Sequence, residues 1–151
     1  MLRNTAITGW GKCVPPAVLS NADLETITDT SDEWITTRTG IKERRISHVE
    51  TSDLAAVAGL RAVAAAGLQP GDLDLILVAT CSPDRLIPSA ATLVQDKMGA
   101  SHAAAMDLNA ACSGFIFGLV TAQQMIATGA FQRVLVIGAG KLHYFLDFTD
   151  R

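Results

Sequence analysis

The sequence predicts an α/β fold with a mixed, mostly parallel sheet and helices on both faces. Three observations carry this. The runs Leu73 to Thr80 and Val134 to Ile137 are short and almost wholly apolar, as expected of strands covered on both sides. Longer segments with a capping residue at one end and glycine at the other lie between the strand-like runs. Strand and helix signals alternate, and such alternation implies right-handed crossovers. A chain of 151 residues suits one domain, and 49% hydrophobic residues against 18% charged suffice for a core. Aromatics are only 5%, so that core is aliphatic and alanine-rich.

Taken in order, Ala6 to Trp10 reads as a short strand. Ser20 caps a short helix through Ile27, and Ser31 caps another over Asp32 to Arg38, with Gly40 as its stop. Lys42 to Val49 is charged and reads as exposed and extended. Ser52 caps a strong helix, Asp53 to Ala66, closed by Gly67 and followed by Pro70. After the strand Leu73 to Thr80, Pro88 suits the first turn of a helix that runs to Met98 and closes at Gly99. His102 to Leu108 reads as a buried strand. Phe115 to Ile126 reads as a buried helix ending at Gly129, and Val134 to Ile137 as the last strand. No linker, low-complexity tract or internal repeat interrupts the pattern.

Composition narrows the function classes. Net charge is −3, without a basic stripe, which argues against nucleic acid as a partner. The N-terminus lacks the apolar core of a signal peptide, and no apolar run reaches the roughly 18 residues of a spanning helix. The three cysteines, at 13, 81 and 112, have no metal-ligand spacing, and their odd number fits a reducing compartment. A cytoplasmic location, no membrane association and no metal are expected.

The segment around Cys112 carries the most chemistry: Met-Asp-Leu-Asn-Ala-Ala-Cys-Ser-Gly-Phe from Met106 to Phe115. It places Cys112 on a turn between a strand and a helix. Backbone N–H groups and the positive end of the helix dipole favour a thiolate there. Ala110, Ala111, Ser113 and Gly114 permit a tight turn and close approach of a substrate, the layout of a nucleophile on an elbow. The plainer reading is a small buried hydrophobe at the start of a core helix.

Two further stretches decide between these readings. Thr30 to Arg45 (Thr-Ser-Asp-Glu-Trp-Ile-Thr-Thr-Arg-Thr-Gly-Ile-Lys-Glu-Arg-Arg) closely resembles the signature of the β-ketoacyl-[acyl-carrier-protein] synthase III family. The surroundings of Cys112 resemble that family's nucleophile motif, and Asp147 to Arg151 (Asp-Phe-Thr-Asp-Arg) its later Asp-x-Thr-Asp-Arg motif. The family belongs to the thiolase superfamily, whose subunit is two similar α/β halves. The resemblance implies that residues 1–151 are the N-terminal thiolase-like half-domain, with the C-terminal half absent from this chain.

The resemblance also implies roles. Cys112 takes the acyl group from a short acyl-CoA. The acyl-enzyme then condenses with malonyl-acyl carrier protein, with decarboxylation, in the initiation of fatty acid synthesis. A His and an Asn from the second half assist; His48, His102 and His143 do not match the catalytic histidine. Trp34 and Arg38, four apart on one helix face, correspond to the stack on the CoA adenine and the contact to its phosphates. Read plainly, they are a core aromatic and a solvated charge. Arg151 corresponds to the arginine on the adenine's other side, and Thr30 is a further CoA-site candidate that helix capping explains almost as well. Leu86 and Ile87 match a loop that reaches from the neighbouring subunit of a homodimer into the acyl pocket, though packing beside a helix start explains them equally. No cofactor is implied beyond acyl-CoA as substrate; the implied partners are acyl carrier protein and a polypeptide carrying the second half. Gly138-Ala-Gly140 departs from the family, where an acid often replaces Gly140; it is weak as a phosphate loop. Two alternatives remain: a non-catalytic truncated or split-chain subunit, and a related thiolase-superfamily acyltransferase of secondary metabolism.

Overall fold

A computed structural model describes residues 3–150. The chain divides into two compact units, Val14–His48 with Lys141–Arg151, and Met1–Cys13 with Val49–Gly140.

In the smaller unit, β1 (Ala17–Ser20) runs into α1 (Asn21–Glu25), then α2 (Asp32–Thr39), then β2 (Glu43–Ile46). The two strands pair antiparallel, with Ala17 opposite Ile46 and Ser20 opposite Glu43. Neither strand is long enough to show a period in sequence, although Lys42 to Val49 does contain an extended stretch as expected. The helix caps are those the sequence announces. The Asp23 N–H donates to Ser20 Oγ at 3.1 Å, and the Ser20 N–H donates back to Asp23 Oδ2 at 2.8 Å. Hydrogen bonds from the Ser20 hydroxyl and then its N–H hold the Asp23 carboxyl below the usual carboxylate range. Ser31 Oγ accepts from the Trp34 N–H at 3.1 Å, and α2 stops at Gly40, whose φ of 71° suits a residue without a Cβ.

Asn21 joins these pieces. It is 1% exposed. Its Nδ2 donates to Asp32 Oδ1 at 2.7 Å and to the Ile41 carbonyl at 2.8 Å, while its Oδ1 accepts from Arg44 Nη2 at 2.9 Å. One amide thus fixes α1 to the start of α2, to the loop after it and to β2. A buried amide is tolerated only with its bonding capacity met, and this one meets it across three elements.

The larger unit is a three-stranded parallel sheet between helices. It contains α3 (Thr51–Ala65), β3 (Leu75–Ala79), α4 (Ala90–Met98), β4 (Ala104–Leu108), α5 (Gly114–Ala127) and β5 (Val134–Gly138). The strand order is β4-β3-β5. Leu75 pairs with Ala104 on one side and Val134 on the other, so the carboxyl ends Ala79, Leu108 and Gly138 lie in one row. β3 is buried along its whole length, as its apolar run requires. Its even-numbered side chains, Ile76 and Val78, join Leu135 and Ile137 beneath α3 and α4. Its odd-numbered ones, Leu75 and Leu77, join Val134 and Val136 beneath α5. Helices therefore cover both faces of this sheet.

Four expectations need correction. Ala6 to Trp10 is extended but forms no strand. Gly9 and Gly11 lie so near α3 that a Cβ on either would stand 2.4 Å from a helix carbonyl, of Ala62 and Ala58 respectively. The segment is thereby pressed on the helix, with Ile7 and Trp10 outward. Helix α3 begins at Thr51 after Glu50, so Ser52 lies inside the first turn, fully buried, rather than at the cap. Pro88 precedes the capping residue of α4, which is Ser89. The strand expected from His102 starts at Ala104 and is only partly covered, because β4 is an edge strand.

Replacing Asn21 by Ala leaves the Asp32 carboxylate, the Ile41 carbonyl and Arg44 without their shared partner. The expected loss is roughly 1–3 kcal/mol, the usual cost of stranding buried polar groups, read as a lower denaturation midpoint at unchanged slope.

Candidate active site

Cys112 sits at the carboxyl edge of the parallel sheet, where open α/β sheets place their ligands. β4 ends at Leu108, a single 3₁₀ turn spans Ala111–Ser113, and α5 begins at Gly114. The cysteine is exposed, while Cys13 and Cys81 are half-buried. Cys112 thus lies on a turn between strand and helix, and in this chain it is exposed rather than buried. The sharpness of the turn is visible in Ala111, whose φ is 45°, a left-handed value that non-glycine residues avoid. Ala110 O accepts from the Ser113 N–H at 3.1 Å and closes the turn.

Small residues let the elbow lie against the sheet. A Cβ on Gly114 would stand 3.3 Å from the Ala79 Cβ, at the end of the central strand. One turn on, a Cβ on Gly118 would stand 2.9 Å from Val136 Cγ1. The buried face of α5 is thus Gly114, Gly118 and Ala122, while Ile116, Phe117 and Val120 are more than half exposed and Phe115 lies between the two faces. Gly138 belongs to the same packing: a Cβ there would press on Phe115 at 3.2 Å. Close approach thus accounts for Gly138 without a phosphate.

The other two carboxyl ends supply the rest of this rim. After β3 the chain runs through Thr80 and Ser82, both buried, to Leu86 and Ile87, which are 89% and 82% exposed. These two are not packed beside the start of α4, so the packing explanation for them fails. Asp107, on β4, accepts from the Ala90 N–H at 2.9 Å and the Ala91 N–H at 2.7 Å. It caps α4 from a neighbouring strand and ties the strand before Cys112 to the helix after Ile87. The sequence offers no local signal for this cap, because donor and acceptor lie on different elements.

The remaining candidates lie in the smaller unit. Trp34 is half-buried and Arg38 exposed. The Arg38 guanidinium carbon lies 4.4 Å from the Trp34 ring centroid, a cation–π contact on one helix face. Arg38 is exposed as a solvated charge would be, whereas Trp34 keeps part of its surface in solvent and is not a fully buried core residue. Thr30 precedes the capping Ser31, so capping does not explain it. Asp147 to Asp150 form a turn in which Asp147 Oδ1 accepts from the Thr149 hydroxyl at 2.7 Å and its N–H at 2.9 Å. These bonds, the hydroxyl's foremost, hold the Asp147 carboxyl low. Arg151 lies outside the described residues. His48 and His102 are exposed, and His143 is half-buried in a 3₁₀ turn. Among the described residues, no group of three or more His, Cys, Asp or Glu is placed to hold a metal, and no helix is long and apolar enough to cross a membrane.

The Ala111 conformation is costly, about 1–2 kcal/mol for an L-residue in the left-handed region. Ala111→Gly relieves it at some cost in unfolded-chain entropy. The expected net gain is about 0.5–1 kcal/mol in unfolding free energy, measurable by denaturant titration; a loss of stability would show that the elbow is unstrained.

Comparison with known proteins agrees with this geometry. A family model described as 3-oxoacyl-[acyl-carrier-protein (ACP)] synthase III matches residues 106–151, the stretch from the elbow onward. A β-ketoacyl-[acyl-carrier-protein] synthase III of Vibrio vulnificus is 60% identical over 145 residues, covering 96% of this chain and 40% of that protein. One from Geobacillus kaustophilus is 55% identical over 147 residues, covering 96% and 47%. The crystal structure of the 3-oxoacyl-[acyl-carrier-protein] synthase III of Aquifex aeolicus superimposes with a TM-score of 0.95 at 50% identity, over 98% of this chain and 48% of that one. The chain spans about half the length of the relatives it matches. By sequence and by thiolase-like fold alike, these residues are similar to the N-terminal half of β-ketoacyl-[acyl-carrier-protein] synthase III proteins.

Proposed function

We propose that this chain is the nucleophile-bearing half of a condensing acyltransferase that initiates fatty acid synthesis. The observation that carries the reading is the exposed Cys112 on a strained elbow at the sheet's carboxyl edge. The Cys112 thiolate attacks the thioester carbonyl of a short acyl-CoA, the tetrahedral intermediate collapses, and CoA leaves as its thiolate, which takes a proton from water. The backbone N–H of Cys112 supplies one donor to the oxyanion. Malonyl-acyl carrier protein then loses CO2, and the resulting carbanion attacks the acyl-enzyme carbonyl. The β-ketoacyl product departs and the thiolate is restored. Donors for the enolate are a His and an Asn of the second half.

Support for a second half comes from two sides. The relatives are about twice as long, and α5 bears Ile116, Phe117 and Val120 more than half exposed. A helix apolar on almost every face belongs between two layers. In this reading residues 1–151 are one thiolase-like half-domain, inactive alone and assembled as a homodimer once complete. Trp34 and Arg38 hold CoA, the indole as a plate for the adenine and the guanidinium for phosphate oxygens, and Thr30 and Arg151 are the further CoA-site candidates of this reading. Leu86 and Ile87 close the acyl pocket of the neighbouring subunit. A second reading, a priming enzyme of secondary metabolism, is favoured by one finding: a priming β-ketosynthase of a polyketide pathway superimposes with a TM-score of 0.95 at 32% identity.

The nucleophile is tested by iodoacetamide titration with mass mapping of the complete protein. Cys112 is expected to label first, and Cys112→Ala to abolish the acyl-enzyme while CoA binding persists. Preferential labelling of Cys13 or Cys81 would overturn the assignment.

The CoA site is tested by Trp34→Ala and Arg38→Ala. Loss of the plate is expected to cost about 1–3 kcal/mol of acyl-CoA binding, by analogy with base–aromatic stacking. The Arg38 effect shrinks as salt rises, since an exposed charge is screened. Unfolding of the Trp34 variant, in place of weaker binding, would make the tryptophan a core residue.

A further inference from the structure

The loop after β3 has a base and a tip of opposite character. The tip, Arg85 to Pro88, is exposed, and two of its residues are large aliphatics with nothing covering them. In the base, Thr80 and Ser82 are buried, Asp84 is half-buried, and all three take part in polar bonds. The Ser82 N–H donates to Thr80 Oγ1 at 3.1 Å, and the Ser82 carbonyl accepts from Thr51 Oγ1 at 2.7 Å. Asp84 makes the outermost anchor. Its Oδ1 accepts from the Ser52 N–H at 2.8 Å, and its Oδ2 accepts a short bond from the Ser52 hydroxyl. Lys97, on α4, donates to Ser52 Oγ at 2.8 Å and to Asp53 Oδ1 at 2.5 Å, so the anchor also reaches the next helix. The far end of the loop is fixed by Asp107, which receives the first N–H groups of α4.

These contacts are more than α3 needs. An open N–H in a helix's first turn is usually met by its own cap or by water. Here a carboxylate from a different segment meets it, and a fully buried serine lends its hydroxyl to the same carboxylate. Such an arrangement uses buried polar groups to fix a loop whose tip is exposed. A tip that bears apolar side chains into solvent gains nothing from being fixed unless its position matters to whatever receives it.

We propose that Asp84 is a positioning residue that sets the depth at which Leu86 and Ile87 enter the acyl pocket, and so the size of acyl group accepted. The proposal rests on the reading of Leu86 and Ile87 as pocket residues given above. Asp84 does not meet the substrate. It acts by holding the segment immediately before Arg85 against the first turn of α3, so that the aliphatic pair projects from a rigid base.

The test is Asp84→Ala in the complete protein, with Asp84→Glu as the variant that keeps the carboxylate, and Ile87→Ala as the pocket control. An alanine removes both acceptor oxygens facing Ser52, so the anchor opens; an asparagine would keep both bonds, because the serine hydroxyl can accept from its NH2. Tryptic cleavage after Arg85 under native conditions is expected to quicken about tenfold, the consequence of losing local hydrogen bonds of ordinary strength. The ratio of kcat/KM for acetyl-CoA to that for a five-carbon branched acyl-CoA is expected to shift about tenfold, the scale of a methylene-sized change in a pocket. The shift should lie in KM, with the rate of Cys112 alkylation unchanged, and Asp84→Glu should restore part of both effects. Unaltered cleavage at Arg85 overturns the proposal, because the anchor then does not hold the loop. Faster cleavage with an unchanged acyl ratio, while Ile87→Ala does change it, overturns the proposal and leaves the pocket reading standing. If Ile87→Ala leaves the ratio unchanged as well, the pocket reading itself falls.

Discussion

The closeness of α5 to the parallel sheet is the constraint from which the rest of the larger unit follows. At Gly114 the helix meets the end of β3, and at Gly118 it meets β5 with no room for a methyl group. Interiors packed to crystal density transmit such a displacement rather than absorbing it. A helix standing off by one side chain would carry Ser113, Cys112 and Ala111 outward with it. The turn from β4 into α5 would no longer need a left-handed residue at Ala111, and the thiol would leave the rim shared by Ala79, Leu108 and Gly138. The small residues that look inert in composition are therefore the ones that place Cys112.

The second organising feature is the use of carboxylates to satisfy helix N-termini from a distance. Asp107 serves α4 from β4, and Asp84 serves α3 from the loop after β3. Each does two jobs with one group. A first-turn N–H that would otherwise need water is met by a negative charge at the positive end of the helix, where the dipole favours it. The same bond staples two segments far apart in sequence. In the smaller unit Asn21 plays the corresponding part with an amide, reaching α2, the loop after it and β2. Its neutrality suits its burial, since a carboxylate there would need full compensation.

How much of this was legible in sequence depends on whether the cause is local. The β3 run, the caps at Ser20 and Ser31, and the stops at Gly40 and Gly99 were readable because each is decided within a few residues of the chain. The elbow was readable for the same reason: strand, small turn and apolar helix are consecutive. What could not be read is set by contacts distant in sequence. The pairing of Ala17–Ser20 with Glu43–Ile46 requires the fold of everything between them. Ala6 to Trp10 has no strand partner among the described residues, and its Gly9, like Gly11 just beyond, lies close on α3, a helix met only after residue 50. Ser52 looks like a cap by residue type, and its burial under Asp84 is decided by a segment that comes much later. The Trp34 and Arg38 pair was legible as a helix face, and the cation–π contact follows from that spacing.

The two faces of α5 argue that this helix is an internal layer of a larger body. Its sheet side is glycine and alanine, chosen for closeness. Its other side is phenylalanine, isoleucine and valine, residues that gain most from leaving water. A helix on the surface of a finished domain would carry polar groups there. Instead, apolar side chains begin directly after the elbow, at Phe115, Ile116 and Phe117, so whatever covers them also comes within a turn of Cys112. Cover and chemistry are thus coupled by position. A layer that buries the exposed face of α5 is the same layer best placed to bring polar groups over the thiol. On this reading, a cysteine set on an elbow between two layers draws its partners from the layer that completes the fold.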